Sequence, residues 1–170
     1  YKTYRVKLKT VEQDKIKSRI LSVSHPFHSR LMEPMTKEFY EFSQTIKPKS
    51  LHAKGAIISN LTGKPLRGPQ DSKYWSQHIL NPVNFEESIR YSSSIGAKTF
   101  IEVGPDAILS KLAKKCMGND TSSIYLSTMI KSSCPVDSIL KCAIELDNNG
   151  HYLNWLPLIP LIDNSEIIYS

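Results

Sequence analysis

Two histidines stand three residues apart in Ser24-His25-Pro26-Phe27-His28-Ser29, and a third closes Tyr74-Trp75-Ser76-Gln77-His78. An imidazole titrates near neutral pH, so each can take up and release a proton under working conditions. General acid–base catalysis on a hydroxyl is the chemistry this residue type offers. A metal site is a second option, since an i, i+3 histidine pair can chelate, but no third ligand has useful spacing from His25 and His28. A surface-loop histidine without chemistry is the third, and for His28 taken alone it is the better reading. His52 and His151 have no motif around them and read as solvent-facing or locally hydrogen-bonded. Gly104-Pro105 offers one glycine, too little to cradle a phosphate. The three cysteines (Cys116, Cys134, Cys142) are odd in number and lack metal spacing. That argues against a disulfide framework or a zinc finger and for a reducing, cytoplasmic setting. Cys116 and Cys142 fall on helical stretches and read as small core residues.

These side chains need elements to hold them. Tyr4, Val6 and Leu8 alternate with polar neighbours over residues 3–11, which is strand periodicity, and residues 20–23 read as a further short strand. Pro26 lacks an amide donor and keeps His25 extended, so residues 24–29 read as a loop. Leu31, Met35, Phe39, Phe42 and Ile46 recur at helical spacing, predicting an amphipathic helix over 30–46 with Pro34 in its first turn. Ala56 to Ser59 is a short apolar run ending in an Asn60-Leu61-Thr62-Gly63 turn. Asp71 or Ser72 can cap a helix reaching Leu80. Asn81-Pro82 breaks it, and a second helix runs from Phe85 to Ile95, with Gly96 at its C-cap. Thr99 to Val103 reads as a strand, a helix follows from Asp106 to Lys115, Ser123 to Met129 reads as another strand, and Val136 to Leu146 as a last helix. Strands alternating with helices imply an α/β fold with a parallel sheet.

The chain has 170 residues, 40% hydrophobic and 22% charged, enough for one domain with its own core. The longest apolar run, Leu156 to Ile162, is broken by prolines, so it cannot span a bilayer. No charged-then-apolar leader opens the chain, which begins with Tyr1 and is expected to be a piece of something longer. The net charge of +6 lies mostly in residues 1–19, which hold seven basic against two acidic side chains. No aromatic-interleaved or nucleic-acid-binding motif accompanies that stripe, so neither nucleic acid nor membrane is expected as a partner. An anionic ligand or an acidic carrier protein stays open.

Four segments read in order resemble one family. They are Val-Ser-His-Pro-Phe-His-Ser-Arg-Leu-Met-Glu-Pro-Met (23–35), Ile-Ser-Asn-Leu-Thr-Gly (58–63), Tyr-Trp-Ser-Gln-His-Ile-Leu-Asn-Pro-Val-Asn-Phe (74–85) and Phe-Ile-Glu-Val-Gly-Pro-Asp-Ala-Ile-Leu (100–109). Each is weak alone. In register, over roughly 20–130, they resemble the acyltransferase domain of a type I polyketide synthase, a relative of the malonyl-CoA:acyl-carrier-protein transacylases. The resemblance implies a partial α/β-hydrolase-like large subdomain together with the end of a ferredoxin-like insert. Residues 1–19 would close the insert, 20–130 would form the C-terminal half of the large subdomain, and 131–170 the final helix and the linker after it.

The chemistry implied is a two-step transfer. A serine takes a malonyl group from coenzyme A, and the phosphopantetheine thiol of an acyl carrier protein removes it. No cofactor is bound covalently; the coenzyme A thioester is substrate, and the phosphopantetheine belongs to the partner. The motif match puts the general base at His28. It puts the main-chain carbonyl that holds the base's other nitrogen at His78, just before a proline with no N–H to return. His25 and Phe27 match the substrate-pocket pattern of malonyl-selective domains, where a bulky Phe27 fills the space a 2-methyl group needs. Pro26 replaces the usual alanine. Arg30 lies where proline is common and takes no carboxylate-gripping role.

One part is missing. The family's nucleophile sits in a Gly-x-Ser-x-Gly elbow, and no two of the seven glycines are four apart. The chain is therefore expected to supply the base and part of the pocket to a larger synthase, and to be inactive alone. The alternative is a truncated, non-catalytic remnant, at most a carrier-protein or anion-binding module.

Overall fold

A computed structural model of the chain describes residues 24–48 and 55–162. The strands expected at 3–11 and 20–23, the basic stripe, the end of the insert and His52 lie outside the described residues.

Ser29 opens the first element, its hydroxyl accepting the Leu31 N–H at 3.3 Å. A 3₁₀ helix, Arg30–Met35, then leads into α1, Thr36–Ser43. The single α-helix expected over 30–46 is thus corrected at both ends. Pro34 has no N–H to return to the Arg30 carbonyl, so the i→i−4 ladder starts only after it and the tighter pattern takes its place. At the other end Ser43 Oγ donates to Tyr40 O and Thr45 Oγ1 to Phe42 O, and both hydroxyls compete for carbonyls that a further turn would use.

The apolar run before the Asn60–Gly63 turn contributes only a single antiparallel bridge, Ile58 to Pro65. Ser59 O accepts the Thr62 and Gly63 amides at 3.3 and 2.7 Å, so the chain reverses before a strand can lengthen. Helix α2, Ser72–Leu80, is capped by Asp71, whose carboxylate accepts the Tyr74 N–H at 2.8 Å. Helix α3, Phe85–Ser94, ends at Gly96 with φ +100°, a geometry that favours glycine.

Strands β1, Thr99–Glu102, and β2, Ile124–Ser127, pair in parallel, with Phe100 opposite Tyr125 and the two rings stacked at 5.2 Å. Helix α4, Leu109–Met117, joins them and packs on both, giving a β–α–β unit. It starts three residues later than the Asp106 start expected from the sequence. Asp106 instead accepts the Ala107 N–H at 2.8 Å and the Lys131 N–H at 3.4 Å, which ties the loop after β1 to the loop after β2. The carboxylate serving α4 is Glu102 at the end of β1, accepting the Ser110 amide at 2.9 Å. Burial opposes the Glu102 charge, but the amides of Ser110, Leu109 and Ile108 outweigh it and hold the carboxyl below its ordinary range.

Helix α5, Pro135–Asn148, lies against β2 and contributes Leu140, Cys142 and Ala143 to the core. Cys116, expected in the core, is only half-buried. His151 is exposed and meets Thr99 Oγ1 at 2.8 Å, a tie across 52 residues rather than a local one. The described residues therefore form an α/β fold with a small parallel sheet. None of their helices is long and apolar enough to cross a membrane.

Candidate active site

The loop carrying His25, Phe27 and His28 is fastened to the C-terminal end of α2. The bonding of that helix end follows from its sequence. In an α-helix the carbonyl of residue 78 accepts from the amide of residue 82, and residue 82 is proline. The His78 oxygen is therefore left open, and Asn81 leaves the helix in extended geometry, φ −93°, ψ 154°. His28 takes what the helix leaves. Its Nδ1 lies 2.9 Å from His78 O and 3.1 Å from Asn81 O. Its main-chain N–H donates to Ile79 O at 2.7 Å. Three carbonyls at one helix end thus hold a single histidine.

The consequence for the ring is definite. Carbonyl oxygens only accept, so Nδ1 carries the hydrogen, and in the neutral imidazole Nε2 is then the acceptor. This is the arrangement a proton-accepting base requires: one nitrogen held, the other open. The negative end of the α2 dipole also lies beside the ring, where a positive charge would develop. His28 adopts φ +62°, the one non-glycine residue with positive φ among the described residues. Histidine tolerates this region better than most, and the three carbonyl contacts hold it there.

His78 contributes more than its oxygen. Its ring meets the His28 ring edge-on, centroids 5.3 Å apart. Burial and the neighbouring His28 both lower the His78 pKa below the ordinary histidine value. The same ring stacks on Tyr74 at 6.0 Å and meets Trp75 edge-on at 5.9 Å.

His25 and Phe27 stand at the outer rim. Their rings are 5.7 Å apart and tilted, His25 Nδ1 is 3.0 Å from Ser24 Oγ, and Phe27 is 52% exposed. Ser29 Oγ donates to Pro26 O at 2.7 Å and closes the loop between them. No three His, Cys, Asp or Glu side chains gather as metal ligands among the described residues. A groove of about 410 Å³ lies between α4, β2 and α5, and its lining includes neither His28 nor His78.

The structure brings His28 Nδ1 to the His78 carbonyl. The motifs do not single out the second acceptor, Asn81 O, or the main-chain anchor, Ile79 O. The proline signal that frees one carbonyl also stops the helix early enough to free its neighbours, so it was present in the sequence.

No protein-family model matches the chain. Among curated proteins it is 31% identical over 144 residues to polyketide synthase GfsA of Streptomyces halstedii, which covers 82% of this chain and 2% of that protein. It is 32% identical over 137 residues to the phenolphthiocerol synthesis polyketide synthase type I Pks15/1 of Mycobacterium bovis, 79% of this chain and 6% of that one. Among solved structures, the acyltransferase domain from the second module of the salinomycin polyketide synthase superposes with a TM-score of 0.83 at 27% identity, over 91% of this chain and 36% of that domain.

The chain is part of a polyketide synthase acyltransferase domain.

A malonyl CoA-acyl carrier protein transacylase from Clostridium perfringens shares the fold of this acyltransferase segment, with a TM-score of 0.65 at 21% identity over 83% of the chain. The segment spans a few per cent of the two synthases and about a third of the salinomycin domain. Within it, His28 and the end of α2 are brought together from motifs fifty residues apart, and the Ile58–Gly63 turn lies against the same helix.

Proposed function

We propose that this chain is the base-bearing portion of an acyltransferase that moves a malonyl unit from coenzyme A to the phosphopantetheine of an acyl carrier protein. The single observation that carries the reading is the pair of contacts from His28 Nδ1 to the His78 and Asn81 carbonyls, 2.9 and 3.1 Å, which leaves Nε2 open.

A serine hydroxyl is a weak nucleophile at neutral pH and must lose its proton as it attacks the thioester. His28 Nε2 accepts that proton. The resulting imidazolium is stabilised by the two carbonyls and the α2 dipole, with no carboxylate partner. The same proton returns to the coenzyme A thiolate as it leaves. In the second half, Nε2 takes the proton of the phosphopantetheine thiol, and the serine recovers it when the malonyl group departs. The serine comes from another segment of the domain, since this sequence holds no Gly-x-Ser-x-Gly elbow.

Phe27 is the selectivity residue, its ring occupying the place a 2-methyl substituent would need, and His25 flanks it on the same rim. The division at residues 19 and 130 is part of the same reading: the end of the insert, the large-subdomain half, and the last helix with its linker. The remaining synthase, malonyl-CoA and the carrier protein are the partners, in the cytoplasm.

The test is transfer of labelled malonyl to a carrier protein by the intact domain carrying this segment. His28→Ala is expected to lower the rate by about 10²–10⁴-fold, the usual contribution of a positioned acid–base group. A rate near that of the parent removes His28 from the chemistry.

A further inference from the structure

We propose that Tyr74 is a positioning residue for His28, acting through the ring of His78 and pinned from behind by Ser59. The inference rests on reading His28 as the base.

Ser59 is the most deeply buried side chain among the described residues, 1% exposed. A buried hydroxyl must be satisfied, and this one is satisfied twice. Its Oγ accepts the Leu61 N–H at 3.1 Å, inside its own turn, and lies 2.9 Å from the Tyr74 hydroxyl on α2. The turn itself is rigidly closed, because Ser59 N donates to Lys64 O at 2.8 Å while Ser59 O accepts two amides. It is also bolted to the start of α3, where the Asn84 side chain donates to Leu61 O at 2.6 Å and the Asn84 N–H to Asn60 O at 2.7 Å.

From that anchor a chain of rings leads to the base. The Tyr74 ring stacks on the His78 imidazole with an interplanar angle of 29°, and the His78 imidazole presents itself edge-on to His28 at 81°. Residues 74 and 78 are i and i+4 on one helix, so they share a face. The carbonyls of His78 and Asn81 fix where His28 Nδ1 points. They leave the ring free to rock about that bond, and the edge of His78 is what limits the rocking. The position of His78 is in turn set by the tyrosine whose hydroxyl Ser59 holds.

The test is made on the intact domain carrying this segment, with ¹⁵N-labelled histidine and no acyl donor, so it reads the base without any acyl transfer. The two readouts are the exchange rate of the His28 Nδ1 hydrogen and the tautomer of the ring. Tyr74→Leu removes the stacked ring, and exchange is expected to quicken about five- to tenfold, the equivalent of one ordinary hydrogen bond loosened. The ring is expected to move from a single tautomer towards a mixture. Tyr91→Leu, an equal loss on α3 outside the chain of rings, is expected to leave both unchanged. Amide protection across β1 and β2 reports whether each variant is folded. If Tyr74→Leu is not, Tyr74→Phe decides, since it keeps the ring and removes only the hydroxyl; about twofold faster exchange is expected.

Parent-like exchange and tautomer in a folded Tyr74→Leu, or in Tyr74→Phe, overturn the proposal. So does an equal effect from Tyr91→Leu. In the intact domain Tyr74→Leu is expected to lower kcat about ten- to a hundredfold with KM for malonyl-CoA unchanged, as a misplaced base would. A change in KM alone contradicts positioning. Quickened His28 exchange in Tyr74→Leu together with normal transfer in His28→Ala would strike the base assignment and leave the packing inference standing.

Discussion

The Nδ1 of His28 lies 2.9 Å from the main-chain oxygen of His78, the carbonyl whose own helical partner would have been the amide of residue 82. Proline at 82 leaves that oxygen unclaimed, and a histidine fifty residues away claims it. A helix terminus that ordinarily needs water or a cap is here completed by a histidine side chain from another segment.

Restoring the missing amide tests this relationship. Pro82→Ala returns an N–H that can compete for the His78 carbonyl and favours another turn of α2. Helix stability is expected to hold or rise while malonyl transfer falls by roughly tenfold or more, through the misplaced base. Circular dichroism and the transfer assay read the two effects separately. A parent-like transfer rate would mean that His28 does not depend on that carbonyl.

Phe27 gives a selectivity prediction. Phe27→Ser opens space at the rim, so methylmalonyl-CoA should gain on malonyl-CoA in the intact domain. One methyl group is worth about 1–3 kcal/mol of discrimination, so the ratio of kcat/KM values should shift by roughly 10-fold to 200-fold at most. Competition between the two labelled substrates measures it, and an unchanged ratio removes the steric argument.

A pH effect follows from His78. Its pKa is lowered in the fold, first by burial and then by His28. The folded chain therefore binds fewer protons than the unfolded one as pH drops from the ordinary histidine value towards the lowered one, and stability is lost as pH falls through that window. Glu102, Asp106 and Asp120 are also lowered, Asp120 to about 2, with losses in the separate carboxylate range below. Denaturant unfolding between pH 7.5 and 5 should show declining stability, and His78→Phe should flatten it. An identical slope in the two proteins would contradict the assignment to His78.

Glu102 is predicted to matter for the fold and not for the base. Glu102→Gln weakens the charge-assisted hold on the Ser110 amide, 2.9 Å away. A loss of about 1 kcal/mol is expected, similar to a lost helix cap. Thermal unfolding measures that loss, while the His28 ring signals should stay in place. A change at His28 would reveal a coupling between the β–α–β unit and the site that no contact here explains.

Much of this was legible in the sequence. The α/β order, the Asp71 cap, the Asn81-Pro82 break and the Gly96 terminus are local signals, and each appears where its chemistry places it. The helix edges at Pro34 and Asp106 differ from the periodicity, because Pro34 converts the first turn to 3₁₀ and Asp106 spends its carboxylate on the Ala107 and Lys131 amides. The site was legible only through its motifs. Spacing cannot say that the Ser59 hydroxyl meets Tyr74, that Tyr74 braces His78, or that Thr99 meets His151, since each contact joins elements the turns bring together.

The most direct measurement is the ¹⁵N spectrum of the His28 imidazole in the intact, unmodified domain, recorded with the ring neutral. A free histidine favours the hydrogen on Nε2. The contacts to the His78 and Asn81 carbonyls predict the opposite, a ring protonated at Nδ1 with Nε2 bare. A spectrum showing the hydrogen on Nε2 would mean that Nδ1 does not donate to the His78 and Asn81 carbonyls and that Nε2 is not the nitrogen left to accept a proton, which contradicts the account.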